Sequence, residues 1–406
     1  MCSHVFTPVE NRCEIIRDVV KEPLSHSHSA AVSPSVSASA SGGFPSLTAP
    51  SQGRNMWSEP DRAAFSQDGF VVKANVINAA DADVLAAHYH DLFAGRFPTG
   101  IFPDEWHWRE NVSLPSAPRE IVNGWKSSLA VARIALSPLL AQAAAELLSW
   151  RSGTRLAQDD VLWKPAGAGG IGYHQDSAYI SDQFVPRDDN SVTVWIALDD
   201  ADKVTGAVEY AVGSHLWRAK NRTACELAQQ SFHGVGGNDL ASPAYAAAEA
   251  VGIDPSAVEL RTVSVPKGSA IFHHQDVWHG SRANTHPSRP RRALALHFLR
   301  RDVSFRTAKP PDYIYGRYVL GRGRPEVDEA FFPIVWAPDG HKSDTPKMLA
   351  KAGLIATETR SSLPSIVPPY HPAALEDETA QAGEAPTVAT QLRHMEEQWR
   401  HGGLGA

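Results

Sequence analysis

The stretch IGYHQDSAYI, residues 171–180, decides how this chain is read. Its opening residues alternate in the manner of a half-buried strand, and in a strand residues i and i+2 project to one face. His174 and Asp176 therefore share a face, while Gln175 points the other way. A neutral imidazole and a carboxylate are two thirds of the facial donor set that holds non-haem Fe(II) and leaves three coordination positions open; the third donor is a second imidazole from a distant strand.

Working outward, the same short apolar runs recur on both sides: DVLWK (160–164), SVTVWIAL (191–198), GAVEYAV (206–212), RTVSV (261–265), SAIFHH (269–274) and RALALHFL (292–299). Gly, Pro, Asn and Asp punctuate them. Seven or more strands with little helix between them predict a mainly β fold with a double-stranded β-helix core, a jelly roll of cupin-like form, and helices on its flank. Upstream, FSQDGFVVKANVI (65–77) reads as a turn and a short strand. Val84, Leu85, His88, Tyr89, Leu92 and Phe93 then recur at helical spacing, and residues 128–149 read as a helix interrupted at Ser137 and Pro138.

The second imidazole is sought in PKGSAIFHHQDVWHGSRAN (266–284), where His279 follows a strand and precedes a Gly-Ser turn. His273 and His274 are the alternatives, without that turn behind them. His215 and His297 read as ordinary hydrogen-bonding histidines. The strand that begins at Arg291 and Arg292 is expected to return by a hairpin beside His279. An arginine fork there suits the far carboxylate of a dicarboxylate bound at the metal.

Taken together, HQD (174–176), GSHLW (213–217) and HGSRANTHPSRPRRALALHF (279–298), with the segment FSQDGFVV, resemble the phytanoyl-CoA dioxygenase family of Fe(II)/2-oxoglutarate-dependent oxygenases over roughly residues 60–305. Position by position, the resemblance implies iron ligation by His174, Asp176 and His279. It implies a salt bridge from Arg291 to the C5 carboxylate of 2-oxoglutarate, with Arg292 as the alternative, and assistance from Ser281. It also implies a cosubstrate-lining Trp195, with Lys164 as a further lining residue. The implied reaction consumes O2 and 2-oxoglutarate, releases succinate and CO2, and hydroxylates an unactivated C–H bond of a small molecule or acyl thioester. Related halogenases carry Ala or Gly at the carboxylate position, so Asp176 points to hydroxylation. Two other readings stay open: a cupin-like dioxygenase or isomerase that needs no 2-oxoglutarate, and a catalytically silent jelly-roll binding module.

Composition sets the remaining bounds. The 406 residues are 43 % hydrophobic and 20 % charged, enough for a core without staples. Cys2, Cys13 and Cys225 offer no disulfide framework, which fits a reducing compartment; without a secretory or transit pattern the cytoplasm is the expectation. A net charge of −7 gives no footprint for nucleic acid. The apolar stretch 129–148 contains Arg133, Ser137, Pro138, Gln142 and Glu146 and is not expected to span a bilayer.

Residues 1–55 read as a disordered Ser/Ala/Gly/Pro-rich tail, 56–345 as the dioxygenase domain, and 346–406 as a polar, partly disordered extension with a short helix at 387–400. Oligomeric state is not legible. FPDEWHWREN (102–111), with Trp125 and Lys126, is read either as a substrate lid or as a bracing loop. The arginine-rich stretch 287–324 is read either as a solvated basic face or as a contact for an acidic handle such as a CoA phosphate.

Overall fold

The computed structural model describes residues 56–220, 239–319 and 324–351. The tail at 1–55, the helix at 387–400, the three cysteines and most of the C-terminal extension lie outside the described residues. The last described helix, Asp344–Lys351, runs across the boundary expected at 345.

Among the described residues fourteen strands alternate with short helices. They are β1 (Phe70–Lys73), β2 (Glu105–Trp106), β3 (Arg119–Val122), β4 (Thr154–Lys164), β5 (Ile171–His174), β6 (Phe184–Val185), β7 (Ser191–Ala197), β8 (Val208–Ala211), β9 (Leu260–Thr262), β10 (Ala270–His274), β11 (His279–Ser281), β12 (Arg291–Arg300), β13 (Ser304–Phe305) and β14 (Ile334–Trp336). All seven expected runs contain a strand. The larger antiparallel sheet has the order β1-β10-β7-β12-β4-β3-β2, with β14 also on β4; the smaller has the order β5-β11-β8-β9; β13 and β6 pair separately. This is the expected jelly-roll arrangement, and its two sheets do not close into a barrel.

Period-two alternation explains the layering. On β7, Val192, Val194 and Ile196 point into the principal apolar core, as do Leu294, Leu296 and Phe298 on β12. Trp195 and the small Ala293 and Ala295 point the other way, toward the second sheet. Each fully buried Val or Leu on the core face contributes about 1.5–3 kcal/mol, so these strands are held from the side opposite the cavity.

The helices cover that core face. In α1 (Glu59–Asp68), Ser58 caps the first turn in a capping box with Asp61, and Gly69 ends the helix at φ +86°. Asn78 caps α2 (Ala79–Phe93). The apolar stretch Leu129–Leu147 is long and apolar enough, by length and composition, to cross a membrane, but 78 % of it is buried within the protein. It is also two helices, α3 (Leu129–Ala135) and α4 (Pro138–Leu147), the second capped by Ser137 and started by Pro138 as the sequence suggested.

Candidate metal centre

His174 is the last residue of β5, and Gln175 continues in extended conformation, so the alternation persists for one residue past the ladder. Gln175 accordingly turns away, donating to the Asp276 carbonyl. Asp176 lies beyond the strand, opening a 3-10 turn whose first bonds run to its own carbonyl from Tyr179 and Ile180. The expected strand thus ends two residues early, yet the shared face survives.

His279 opens β11 and pairs directly opposite His174. Gly280 permits this approach: a Cβ there would come within 2.8 Å of the Ile171 carbonyl. The Nε2 atoms of His174 and His279 lie 3.7 and 3.5 Å from Asp176 Oδ1. One donor atom from each of the three residues lies within 4.8 Å of the others.

Both imidazoles are pre-set for a metal. Each Nδ1 sits on a backbone carbonyl, that of Gly172 at 2.9 Å for His174 and of Val277 at 3.0 Å for His279. The Nδ1 atom therefore carries the proton and Nε2 presents its lone pair. Burial, followed by the neighbouring His279, pushes His174 down to about 4. Burial also pushes His279 down to about 4, against the pull of Asp176. For Asp176, burial alone would raise the carboxyl, but His279 and the hydrogen bond from His273 outweigh it and hold it well below the usual carboxylate range. Two neutral imidazoles and an ionised carboxylate fit ferrous iron.

The sign of these shifts gives a pH prediction. Imidazoles with the ordinary value near 6.5 would compete with protons and lose roughly tenfold in metal affinity each by pH 5.5. Lowered to about 4, they stay free. Iron affinity, measured against a chelator corrected for its own protonation, should change by less than about threefold between pH 7.5 and 5.5; a loss near a hundredfold would contradict the assignment.

Three residues support Asp176; Thr193 was not singled out from the sequence, whereas His273 stood as an alternative ligand and His297 as a hydrogen-bonding histidine. Thr193 donates to Asp176 Oδ2, and His273 bonds the same oxygen at 2.9 Å while its Nδ1 meets the Tyr210 hydroxyl. His273 is thus a partner of the carboxylate. His297 bonds Thr193 Oγ1 at 2.8 Å and Asp160 Oδ2 at 2.7 Å, the hydrogen-bonding role expected of it. The signal for Thr193 and His297 was present in the alternation: they lie two residues before Trp195 and six after Arg291, on the same faces.

These groups line a cavity of about 640 Å³ between the two sheets. At one end Arg291 stands opposite Lys164 in the β12–β4 register, with its guanidinium 5.2 Å from the centre of the Trp195 ring. Lys164 Nζ donates to Ser281 Oγ (2.7 Å) and to the Arg282 carbonyl (2.6 Å), tying the sheets together. Burial, then the charge of Arg291, pushes Lys164 well below the ordinary lysine value. Burial brings Arg291 down to about 10, still cationic at neutral pH. No hydrogen bond or ion pair engages the Arg291 side chain among the described residues, and its Nε is buried without a partner.

Arg292, the alternative, faces away in an ion pair with Asp199 at 2.7 Å. The expected hairpin is also corrected. β11 belongs to the smaller sheet and β12 to the larger, so Arg291 faces the triad from across the cavity.

The segment 102–111 is partly brace and partly wall. Trp108 is in the core, whereas His107 lines the cavity. Trp125 and Lys126 do not line it; Trp125 is core and Lys126 pairs with Asp104 at 3.1 Å. In the basic stretch, Arg289, Arg292, Arg300, Arg301, Arg306 and Arg317 each meet a carboxylate, so its charge is locally compensated.

The family model for phytanoyl-CoA dioxygenase (PhyH) matches residues 65–293. No curated protein sequence matches the chain. Among solved structures, the non-heme alpha ketoglutarate dependent carbocyclase SnoK from nogalamycin biosynthesis superposes with a TM-score of 0.50 at 20 % identity, over 68 % of this chain and 96 % of that one. EctD from S. alaskensis, solved with 2-oxoglutarate and 5-hydroxyectoine, gives 0.49 at 20 % identity, over 70 % and 90 %. The alpha ketoglutarate dependent epimerase SnoN from nogalamycin biosynthesis gives 0.48 at 19 % identity, over 68 % and 98 %.

Proposed function

Since the chain belongs to the phytanoyl-CoA dioxygenase family, we propose that it is an Fe(II)- and 2-oxoglutarate-dependent hydroxylase of a small molecule or acyl thioester, with His174, Asp176 and His279 as the iron ligands. The observation that carries this reading is the pairing of two features in one cavity. Three donor atoms converge within 4.8 Å, and a buried arginine without an anionic partner faces the same space. A buried charge ordinarily has a partner. A dicarboxylate that reaches from the triad to Arg291 supplies one.

The chain's own groups do the following. His174 and His279 present Nε2 because their Nδ1 protons are held on backbone carbonyls. Thr193 and His273 hold the distal oxygen of Asp176 and leave Oδ1 turned toward the imidazoles. Arg291 receives the far carboxylate, Ser281 assists it while held by Lys164, and Trp195 forms the flat wall beneath the guanidinium. Iron held by the triad would let O2 act as the oxidant: one oxygen atom would go into succinate as 2-oxoglutarate loses CO2, and the other into the substrate C–H bond as a hydroxyl. The ionised Asp176 occupies the ligand position that a halogenase would need empty, which supports hydroxylation.

The test is succinate formation under air by the purified chain given Fe(II) and 2-oxoglutarate, with and without candidate substrates. Slow substrate-free turnover that requires iron is expected. Absence of both iron binding and 2-oxoglutarate turnover would overturn the reading.

A further inference from the structure

Another part of the cavity wall, on the same sheet as Arg291 and separated from it by β4, has the opposite chemistry. Glu120 on β3 pairs with Leu162 on β4, and Asp160 lies two residues along β4 on the same face, which makes the two carboxyls diagonal neighbours on a wall of the cavity. Asp160 is satisfied by His297 and by the Gln158 amide at 3.0 Å. Glu120 is not: no hydrogen bond or ion pair engages its carboxyl among the described residues. Glu120 is half-buried; its enclosure, then the charge of Asp160, push the carboxyl up to about 8 against the opposing pull of His297, so a positive partner would favour its charged form.

Two aromatic rings complete that part of the wall. Tyr179 and Tyr313 line the same cavity with ring centres 6.3 Å apart. Tyr313 stands at φ +54°, a left-handed conformation that tyrosine rarely adopts and that costs of order 1–3 kcal/mol. Tyr313 is 44 % exposed, so its ring stands at the cavity mouth, where partial enclosure and then Asp160 and Glu120 push its hydroxyl up. Of the basic groups nearby, Lys164 lies two residues from Leu162 on the same face but donates to Ser281 and the Arg282 carbonyl, and His297, whose charge favours the Glu120 carboxylate, is bonded to Asp160. Arg119, next to Glu120 in sequence, points to the other face, with its guanidinium 3.9 and 4.2 Å from the ring centres of Trp108 and Trp163. His107 sits at the rim beside Glu105.

We infer that the substrate carries a positively charged nitrogen, received between the Glu120 carboxylate and the rings of Tyr179 and Tyr313, with Asp160 adding to the negative field from the neighbouring strand. The inference rests on the reading of this cavity as the oxygenase site, and it narrows that reading away from an anionic acyl thioester. A carboxylate and two aromatic faces are what recognise an ammonium group, through charge and through the ring quadrupoles.

A matched pair of probes tests it. Choline and its carbon isostere 3,3-dimethylbutan-1-ol have nearly the same shape and differ in charge. The full chain is loaded with Fe(II) and 2-oxoglutarate under nitrogen, and each probe is titrated while heat and the visible charge-transfer band of the iron–cosubstrate complex are followed. In the wild type, choline should bind about tenfold or more tightly than the alcohol. In Glu120→Gln, which keeps shape and hydrogen bonding but loses the charge, that preference should shrink to within about threefold. Equal binding of the two probes by the wild type, no binding of choline, or an unchanged preference in Glu120→Gln overturns the inference. The wild-type comparison does not depend on the variant folding. Absence of the charge-transfer band in the wild type would instead sink the oxygenase reading, so the two failures are distinguishable.

Discussion

Replacing His279 with alanine should strip the chain of iron. The wild type, loaded anaerobically and desalted, should retain about one ferrous ion per chain, and His279→Ala should retain little, with affinity down by more than a hundredfold. Groups that merely orient a ligand typically cost about 10–100-fold when removed, and a ligand should cost more. The loss is not repaired locally. His273 lies close by, with its ring centre 4.4 Å from that of His279, but its two nitrogens are committed to Asp176 and Tyr210. A half-buried histidine outside the cavity, His341, which pairs with Glu329 at 3.1 Å, serves as the control: His341→Ala should keep its iron. Retention of iron by His279→Ala would remove the central assignment.

The second large effect separates two adjacent arginines. Arg291→Ala should raise the 2-oxoglutarate concentration for half-maximal turnover about a hundredfold, because a charge-assisted, desolvated pair is worth about 2–3 kcal/mol. Arg292→Ala should leave that requirement within about threefold and act on stability, since Arg292 pairs with Asp199 and donates to the Ala86 carbonyl at 3.1 Å. A cupin-like enzyme that needs no 2-oxoglutarate would show neither difference. If Arg292→Ala proved the more damaging to cosubstrate use, the strand register would have been assigned the wrong function.

Much of this was legible before any coordinates. The seven apolar runs became strands because Val, Ile and aromatic residues at period two can bury only one face, and the spacing of His174, Asp176 and His279 gave the candidate donors. The resemblance favoured Arg291 over Arg292, but the alternation alone did not decide between them. Neighbouring residues on a strand face opposite ways, and only the pairing of β12 with β4 and β7 shows which way is inward. The expected hairpin failed for a related reason, since a turn-rich link reads the same whether it joins strands of one sheet or of two. Glu120 escaped notice because REIV is four residues long, too short to show a period. Thr193 was missed although Trp195 had been placed: the same alternation, followed two residues back, leads to it.

Because Asp176 stands just past the last rung of β5, its backbone bonds are those of a tight turn, and none of them needs the carboxylate. Shortening that one side chain removes a donor without unzipping a ladder, at the cost of leaving Thr193 and His273 with nothing to hold. The position that carries the carboxylate therefore sits outside the ladder that holds the fold, and a change of that side chain leaves the strand pairing of β5 and β11 without a missing rung.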